Sequence, residues 1–295
     1  MTGAGGFVGG HLLRELGERA SPTAADVTSP DEVAQALRDA RPAAVVHLAA
    51  GTSVAESWER GAEVWGVNVV GTVNVLDAVR NEQPGARVLV VSSGEVYGET
   101  PSGLAQEEDD PVAPLSPYAA SKVAAEVAAD RAARVDGLDV VVARPFPHTG
   151  PGQDTRFALG SWTRQIAELE LRDGGVLEVG DLSVERDLLD VRDVCRAYRL
   201  LVDPGVPAGI YNVASGRAAR LEDVVAELVR LARCSVEVRP SQALRRRNDV
   251  RRLAGDASRL ASATGWRPEI SLEQTLADAL EAARRAVETE RMSPV

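Results

Sequence analysis

Three near-continuous apolar runs, at residues 43–51, 87–93 and 139–145, constrain the fold more than any other feature of the sequence. A strand with one wet face alternates apolar and polar side chains, whereas a parallel strand covered on both faces is apolar throughout. Each run has strand length and ends in small or turn-forming residues, and helical spacing fills the intervals between runs. Residues 63–81 read as one helix, and Ser29-Pro30 opens another over 31–40, an N-cap followed by proline at the first helical position. This order of strands and helices predicts an α/β fold, a doubly wound parallel sheet.

Gly3, Gly6 and Gly9 run into an apolar pattern of helical period at 11–16. A glycine-rich turn that opens a helix lets backbone N–H groups approach a pyrophosphate at the positive helix end. A buried strand of about five apolar residues normally precedes such a turn, and only Met1 and Thr2 stand before Gly3. The sheet is therefore expected to lack its first strand, leaving a gap between the strand at 43–48 and the stretch near Ala24. On this reading the natural product starts upstream of Met1. Ala49, Ala50 and Gly51 at a strand's carboxyl end suit close approach by a dinucleotide. His47, inside the apolar run, is expected to satisfy a backbone bond rather than handle protons.

Lys122 is the only lysine among 33 lysines and arginines. A lysine kept where every other basic position is arginine points to a task for a compact ammonium, such as perturbing a neighbour's pKa. Tyr118 lies four residues earlier, on the same helical face. A cation near ~4 Å at an effective dielectric of ~20 favours the phenolate by at most ~4 kcal/mol. The phenol is thus expected to move from near ~10 toward neutrality and to exchange a proton with a hydroxyl or ketone. Ser92-Ser93, at the end of the second apolar run, supplies a hydroxyl to hold the reacting oxygen.

With 33 basic and 44 acidic residues the net charge is −11, which disfavours nucleic acid and anionic membranes as partners. An anionic ligand must then be caught by local arginines. No apolar run approaches the ~20 residues of a membrane span, and the first residues lack a signal-peptide layout, so a cytoplasmic protein is expected. Cys195 and Cys234 fall in helical patterns with no companion CxxC or histidine cluster, which argues against a metal or a disulfide. The acidic, proline-rich stretch 100–117 is expected to be a mobile flap. Beyond it, Pro and Gly residues at 145–152 mark a loop at the cofactor crevice, and shorter units follow, with an arginine cluster at 245–247 and a closing helix from Leu272.

With these residues in hand, the chain resembles the extended short-chain dehydrogenase/reductase family over nearly its whole length. The shared features are GxxGxxG at Gly3, HLAA at His47, NxxGT at Asn68, SSGEVYG at 92–98 and YxxxK at Tyr118. The resemblance implies an NAD(P)-binding Rossmann domain over 1–146 with return segments near 184–214. It also implies a smaller, interleaved α/β C-terminal part over 147–295 that takes a nucleotide-diphosphate sugar. Within the family, ARPFPHTGPGQ at 143–153, LEVGDLSVERDLLDVRDV at 177–194 and YNVASG at 211–216 look most like the reductases of GDP-4-keto-6-deoxy-D-mannose, which make GDP-D-rhamnose.

By the same resemblance Ser93, Tyr118 and Lys122 are the catalytic trio. Gly3, Gly6, Gly9, Asp26, Leu48, Ala49, Ala50, Lys122 and Pro145 would contact NAD(P)H, with NAD and NADP not separated. Glu95, His148, Arg186 and Arg246 would face the substrate, the two arginines on its phosphates. A homodimer through the Tyr118 and Asn68 helices is implied. Pro147 stands where the family usually has asparagine; with neither a side-chain amide nor a backbone donor, it must lose or replace one substrate contact. Two other functions stay open: a nucleotide-sugar 4,6-dehydratase or 4-epimerase, with Glu95 as a base at sugar C5, and a cofactor-binding protein without turnover.

Overall fold

The computed structural model describes residues 1–101, 103–244 and 250–292. In chain order the first half forms α1 (Phe7–Leu16), α2 (Pro30–Ala40), β1 (Ala44–His47), α3 (Val54–Glu59), α4 (Gly61–Trp65), α5 (Gly71–Glu82), β2 (Arg87–Val91), α6 (Pro117–Asp136) and β3 (Val140–Pro145). The remainder forms β4 (His148–Thr149), α7 (Ala158–Glu170), β5 (Gly175–Val179), β6 (Glu185–Asp187), β7 (Leu189–Asp190), α8 (Val191–Leu201), β8 (Gly209–Val213), β9 (Ala218–Arg220), α9 (Leu221–Leu231), β10 (Val236–Pro240), β11 (Arg252–Leu253), α10 (Ser258–Thr264) and α11 (Leu272–Met292).

The main sheet has the order β1-β2-β3-β8 and is parallel throughout, with Val46 beside Leu89 and Leu89 beside Val141. Successive strand side chains leave on opposite faces, and both faces are covered. Val45, Val88, Val90, Val140 and Val142 pack with Val33, Leu37, Val75, Val79 and Ala129 of α2, α5 and α6. Val46, Leu89, Val141 and Ala143 pack with Leu12, Val194, Tyr198 and Leu260 of α1, α8 and α10. Burying each Val or Leu contributes about 1.5–3 kcal/mol, which is why these strands are apolar at most positions, His47, Arg87, Arg144 and Asn212 being the polar exceptions.

Thr2 bridges His47 in parallel, its N–H donating to the Val46 carbonyl at 3.1 Å, while the Met1 carbonyl accepts from Thr23 N–H at 3.0 Å. Residues 1 and 2 thus lie between β1 and the segment near Ala24, with a single bridge to β1.

Residues beyond β4 build smaller sheets: β5 with β10, β6 between β11 and β9, and β4 with β7. Trp162, Ile166, Leu228, Leu276 and Leu280 of α7, α9 and α11 close over Leu177 and Val179 of β5.

Three local expectations change. The helix over 63–81 is continuous but passes through a π turn, Gly66–Val70, between α4 and α5. Cys234 lies in a bend after α9 rather than in a helix. The stretch 100–117 is tied down rather than loose: Thr100 N–H donates to Arg252 O at 2.9 Å, Gln106 N–H to Ala254 O at 2.9 Å, and Asn212 Nδ2 to Gln106 O at 2.8 Å. These bonds satisfy backbone groups that the surrounding elements keep from water.

Candidate active site

The carboxyl ends of β1, β2 and β3 converge with the start of α1. Gly3 has a φ of +66°, and a Cβ there would sit 2.6 Å from the Ala49 nitrogen; one on Gly9 would sit 2.4 Å from the Gly3 carbonyl oxygen. Only glycine permits this turn to lie against the end of β1. No side chain caps α1, and its first turn carries no acid. Open N–H groups at a positive helix end, with no carboxylate beside them, fit the diphosphate of a dinucleotide.

Just past β1, Asn68 holds the chain at Gly51. Its Oδ1 accepts from Gly51 N–H at 2.8 Å, and its Nδ2 donates to Gly51 O at 3.1 Å and to Ser121 Oγ at 2.9 Å. The π turn is what aims Asn68 inward, and Ser121 Oγ passes the link to Tyr118 O at 2.7 Å. His47 is buried with its ring nitrogens 2.9 Å from Thr2 Oγ1 and 3.1 Å from Thr72 Oγ1. Its partners are side-chain hydroxyls rather than the expected backbone group, and burial pushes its pKa down to about 3, the Lys122 charge adding to the effect. It is neutral at physiological pH.

Ser93, Tyr118 and Lys122 come together at the end of β2. The Tyr118 hydroxyl shares a hydrogen bond with Ser93. Lys122 Nζ donates to Val91 O at 2.8 Å and lies 5.9 Å from the centre of the Tyr118 ring. The expectation that Lys122 draws the phenol toward neutrality is corrected. Burial pushes Tyr118 up to about 12, with the Ser93 bond opposing and Glu95 adding. Burial also pushes Lys122 down to about 8, opposed by Glu126. Desolvation outweighs their mutual attraction because both groups are buried and the ammonium is directed at a carbonyl rather than at the phenol oxygen.

The loop after β3 closes over the glycine turn. His148 stacks on Phe7 with ring centres 6.5 Å apart, and His11 Nε2 lies 2.8 Å from Pro151 O. His148 Nδ1 is 2.9 Å from Phe146 O, and Pro147 O accepts from Leu189 N–H at 2.9 Å. Gly94, next to Ser93, lies against the Phe146 ring.

Arg186 is buried on β6 and donates to Glu185 O at 2.9 Å. Asp26 is exposed and accepts from the Thr28 N–H at 2.9 Å and hydroxyl at 2.8 Å, which holds its carboxyl below the usual range. Arg246 lies outside the described residues. Among the described residues no cluster of three or more His, Cys, Asp or Glu could hold a metal ion, and no helix is long and apolar enough to cross a membrane.

A buried polar network behind the trio escapes the sequence reading. Glu126 of α6 accepts from Arg144 Nε at 2.9 Å and Nη2 at 2.7 Å, and also from Ser92 Oγ. Arg144 Nη1 donates to the Tyr97 hydroxyl at 2.8 Å, and that hydroxyl donates to Asn212 Oδ1 at 2.8 Å. The available signals are an arginine inside an otherwise apolar strand and a glutamate one turn past Lys122.

The family model for GDP-mannose 4,6 dehydratase matches residues 13–279. A GDP-6-deoxy-D-mannose reductase of Pseudomonas aeruginosa is 37% identical over 94% of this chain and 93% of its own. A dTDP-glucose 4,6-dehydratase of an Actinoplanes species is 31% identical over 94% of this chain and 95% of its own. The solved structure of RMD from Pseudomonas aeruginosa complexed with NADPH superimposes with a TM-score of 0.89 at 36% identity, covering 96% of this chain and 97% of that one.

Proposed function

The chain belongs to the GDP-mannose 4,6-dehydratase family, and from that premise we propose that it is an NAD(P)H-dependent nucleotide-sugar oxidoreductase. It reduces the C4 ketone of a nucleotide-diphosphate 6-deoxy-4-keto sugar, GDP-4-keto-6-deoxy-D-mannose to GDP-D-rhamnose. The observation that carries this reading is the grouping of Ser93, Tyr118 and Lys122 beside a glycine turn built for a dinucleotide. The reductase of Pseudomonas aeruginosa, similar over nearly all of both chains, supports it.

Bound at the turn, the nicotinamide cofactor supplies a hydride. The protein does the rest. Ser93 holds the ketone oxygen by a hydrogen bond, and Tyr118 delivers its proton to that oxygen as negative charge develops. A phenol pushed up to about 12 stays protonated through the neutral range, as an acid must. The Lys122 ammonium, one helical turn away, stabilises the phenolate left behind. Gly3, Gly6, Gly9, Asp26, Leu48, Ala49, Ala50 and Pro145 hold the cofactor. Glu95, His148 and Arg186 face the sugar nucleotide. Residues 1–146 with return segments near 184–214 form the cofactor part, and 147–295 the interleaved substrate part.

The protein acts as a homodimer through α5 and α6. The exposed Val70, Val73 and Val127, and a groove lined by Val73, Leu76, Asp77, Arg80, Ala128 and Arg131, support that surface as the interface. The biosynthetic role and the acidic net charge of −11 favour a cytoplasmic enzyme.

The deciding experiment incubates the protein with GDP-4-keto-6-deoxy-D-mannose and NADPH, following nicotinamide absorbance and identifying the product. Consumption of one reduced cofactor per sugar is expected. A second reading, 4,6-dehydration or 4-epimerisation, is favoured by Glu95, whose charge acts on Tyr118. It predicts no consumption of NADPH with this ketone and instead conversion of a 4-hydroxy sugar nucleotide such as GDP-mannose at constant nicotinamide absorbance, an activity that in the dehydratase case is lost in Glu95→Gln.

A further inference from the structure

We infer that Glu126 is a positioning residue for Lys122, holding the ammonium charged and seated through a buried ion pair with Arg144; the inference deepens the reductase reading and rests on it. Glu126 follows Lys122 by one helical turn of α6 and shares its face. Its side chain is 9% exposed and that of its partner Arg144 5%, so neither charge has water to fall back on. The carboxylate accepts two bonds from Arg144 and one from Ser92, the chain neighbour of Ser93. Lys122 donates to Val91 O on the same strand end. One carboxylate therefore ties the helix carrying Tyr118 and Lys122, the strand end carrying Ser93, and the end of β3 that precedes Pro145.

The charged and titratable groups around Lys122 divide clearly. Glu126 and Tyr118 lie on its own helix, His47 faces it from β1, and Glu95 acts on Tyr118 from beyond β2. Arg144 of β3 spends both its Nε and Nη2 on Glu126. His47 is neutral, so the anionic charge that opposes desolvation of Lys122 comes from Glu126. A buried lysine without such a neighbour surrenders its proton readily, and a neutral amine would leave the Tyr118 phenolate unsupported during turnover.

The single lysine of the sequence makes the test direct, because lysine labelled with 13C and 15N yields one side-chain signal. That signal is titrated by NMR in the ligand-free protein, in wild type, Glu126→Gln, Glu126→Asp and Arg144→Met. Glu126→Gln is expected to lower the Lys122 midpoint by about one pH unit or more. Arg144→Met should not lower it, and Glu126→Asp should restore most of the wild-type value. If the reductase reading holds, the alkaline limb of kcat moves with the midpoint while KM for the sugar changes less.

A midpoint unchanged in Glu126→Gln overturns the inference. If the single variants do not fold, Glu126→Gln/Arg144→Met removes both charges together and is titrated instead; a wild-type midpoint there, or failure of this variant also to fold, reduces the pair to a structural bond and overturns the inference. Because the titration needs no substrate, it can fail or succeed independently of the reductase assay.

Discussion

Tyr118 and His47 show how burial sets the protonation state on which each side chain's role depends. Tyr118→Phe removes the acid and leaves the glycine turn untouched. Turnover is expected to fall by about 10²–10⁴-fold, while NADPH binding, read by nucleotide fluorescence, stays within a few-fold of wild type. His47 carries a prediction about pH. Its pKa is about 3 folded, against an ordinary 6.5, so between those values the unfolded chain binds the extra proton and stability falls as pH falls. The contribution lost between pH 7 and pH 5 is about 2 kcal/mol. Urea unfolding at the two pH values, compared with His47→Gln, checks this: the variant should lose less on acidification, and equal losses would mean that His47 is not held neutral by the fold.

At the scale of elements, the π turn Gly66–Val70 earns its place. A regular helix through 63–81 would carry Asn68 away from Gly51, and the extra residue in the turn brings the amide to the end of β1. Asn68→Leu leaves the Gly51 N–H and C=O without their partner. We expect a loss of about 1–3 kcal/mol in stability, accompanied by weaker cofactor binding, because the strand end that receives the dinucleotide is no longer fixed. Denaturant unfolding and NADPH titration of the same variant measure both. Unchanged cofactor affinity alongside lost stability would confine Asn68 to a structural role. The stretch 100–117 behaves as a strap in the same sense, joining β11 and Asn212 to the network at Arg144.

For the whole molecule, the main sheet is enclosed by two apolar clusters, and over one of them the π turn, α5 and α6 turn Val70, Val73 and Val127 outward. Sedimentation should find a dimer, and Val127→Arg, which places a charge on a residue already 64% exposed in the single chain, should yield monomer without lowering the intrinsic stability of the fold. A dimer that persists in this variant moves the interface elsewhere. Across the molecule the loop after β3 rests on α1 through the Phe7–His148 and His11–Pro151 contacts, so the proposed cofactor and substrate sites share a wall.

Periodicity and local chemistry determine much of this in the sequence itself. Near-continuous apolar runs require strands covered on both faces, glycines at 3, 6 and 9 require a turn no side chain can enter, and the Tyr118–Lys122 spacing requires one helical face. Tertiary structure alone decides the balance of forces on each group. Spacing puts Lys122 near Tyr118, but only the packed fold shows the ammonium turned to Val91 and both groups desolvated, which reverses the expected direction of the Tyr118 shift. The Arg144–Glu126 pair joins residues 18 apart in sequence, from a strand to a helix, and no local pattern specifies such a partner. Desolvation and long-range pairing depend on everything that surrounds a residue, and those surroundings exist only once the chain has folded.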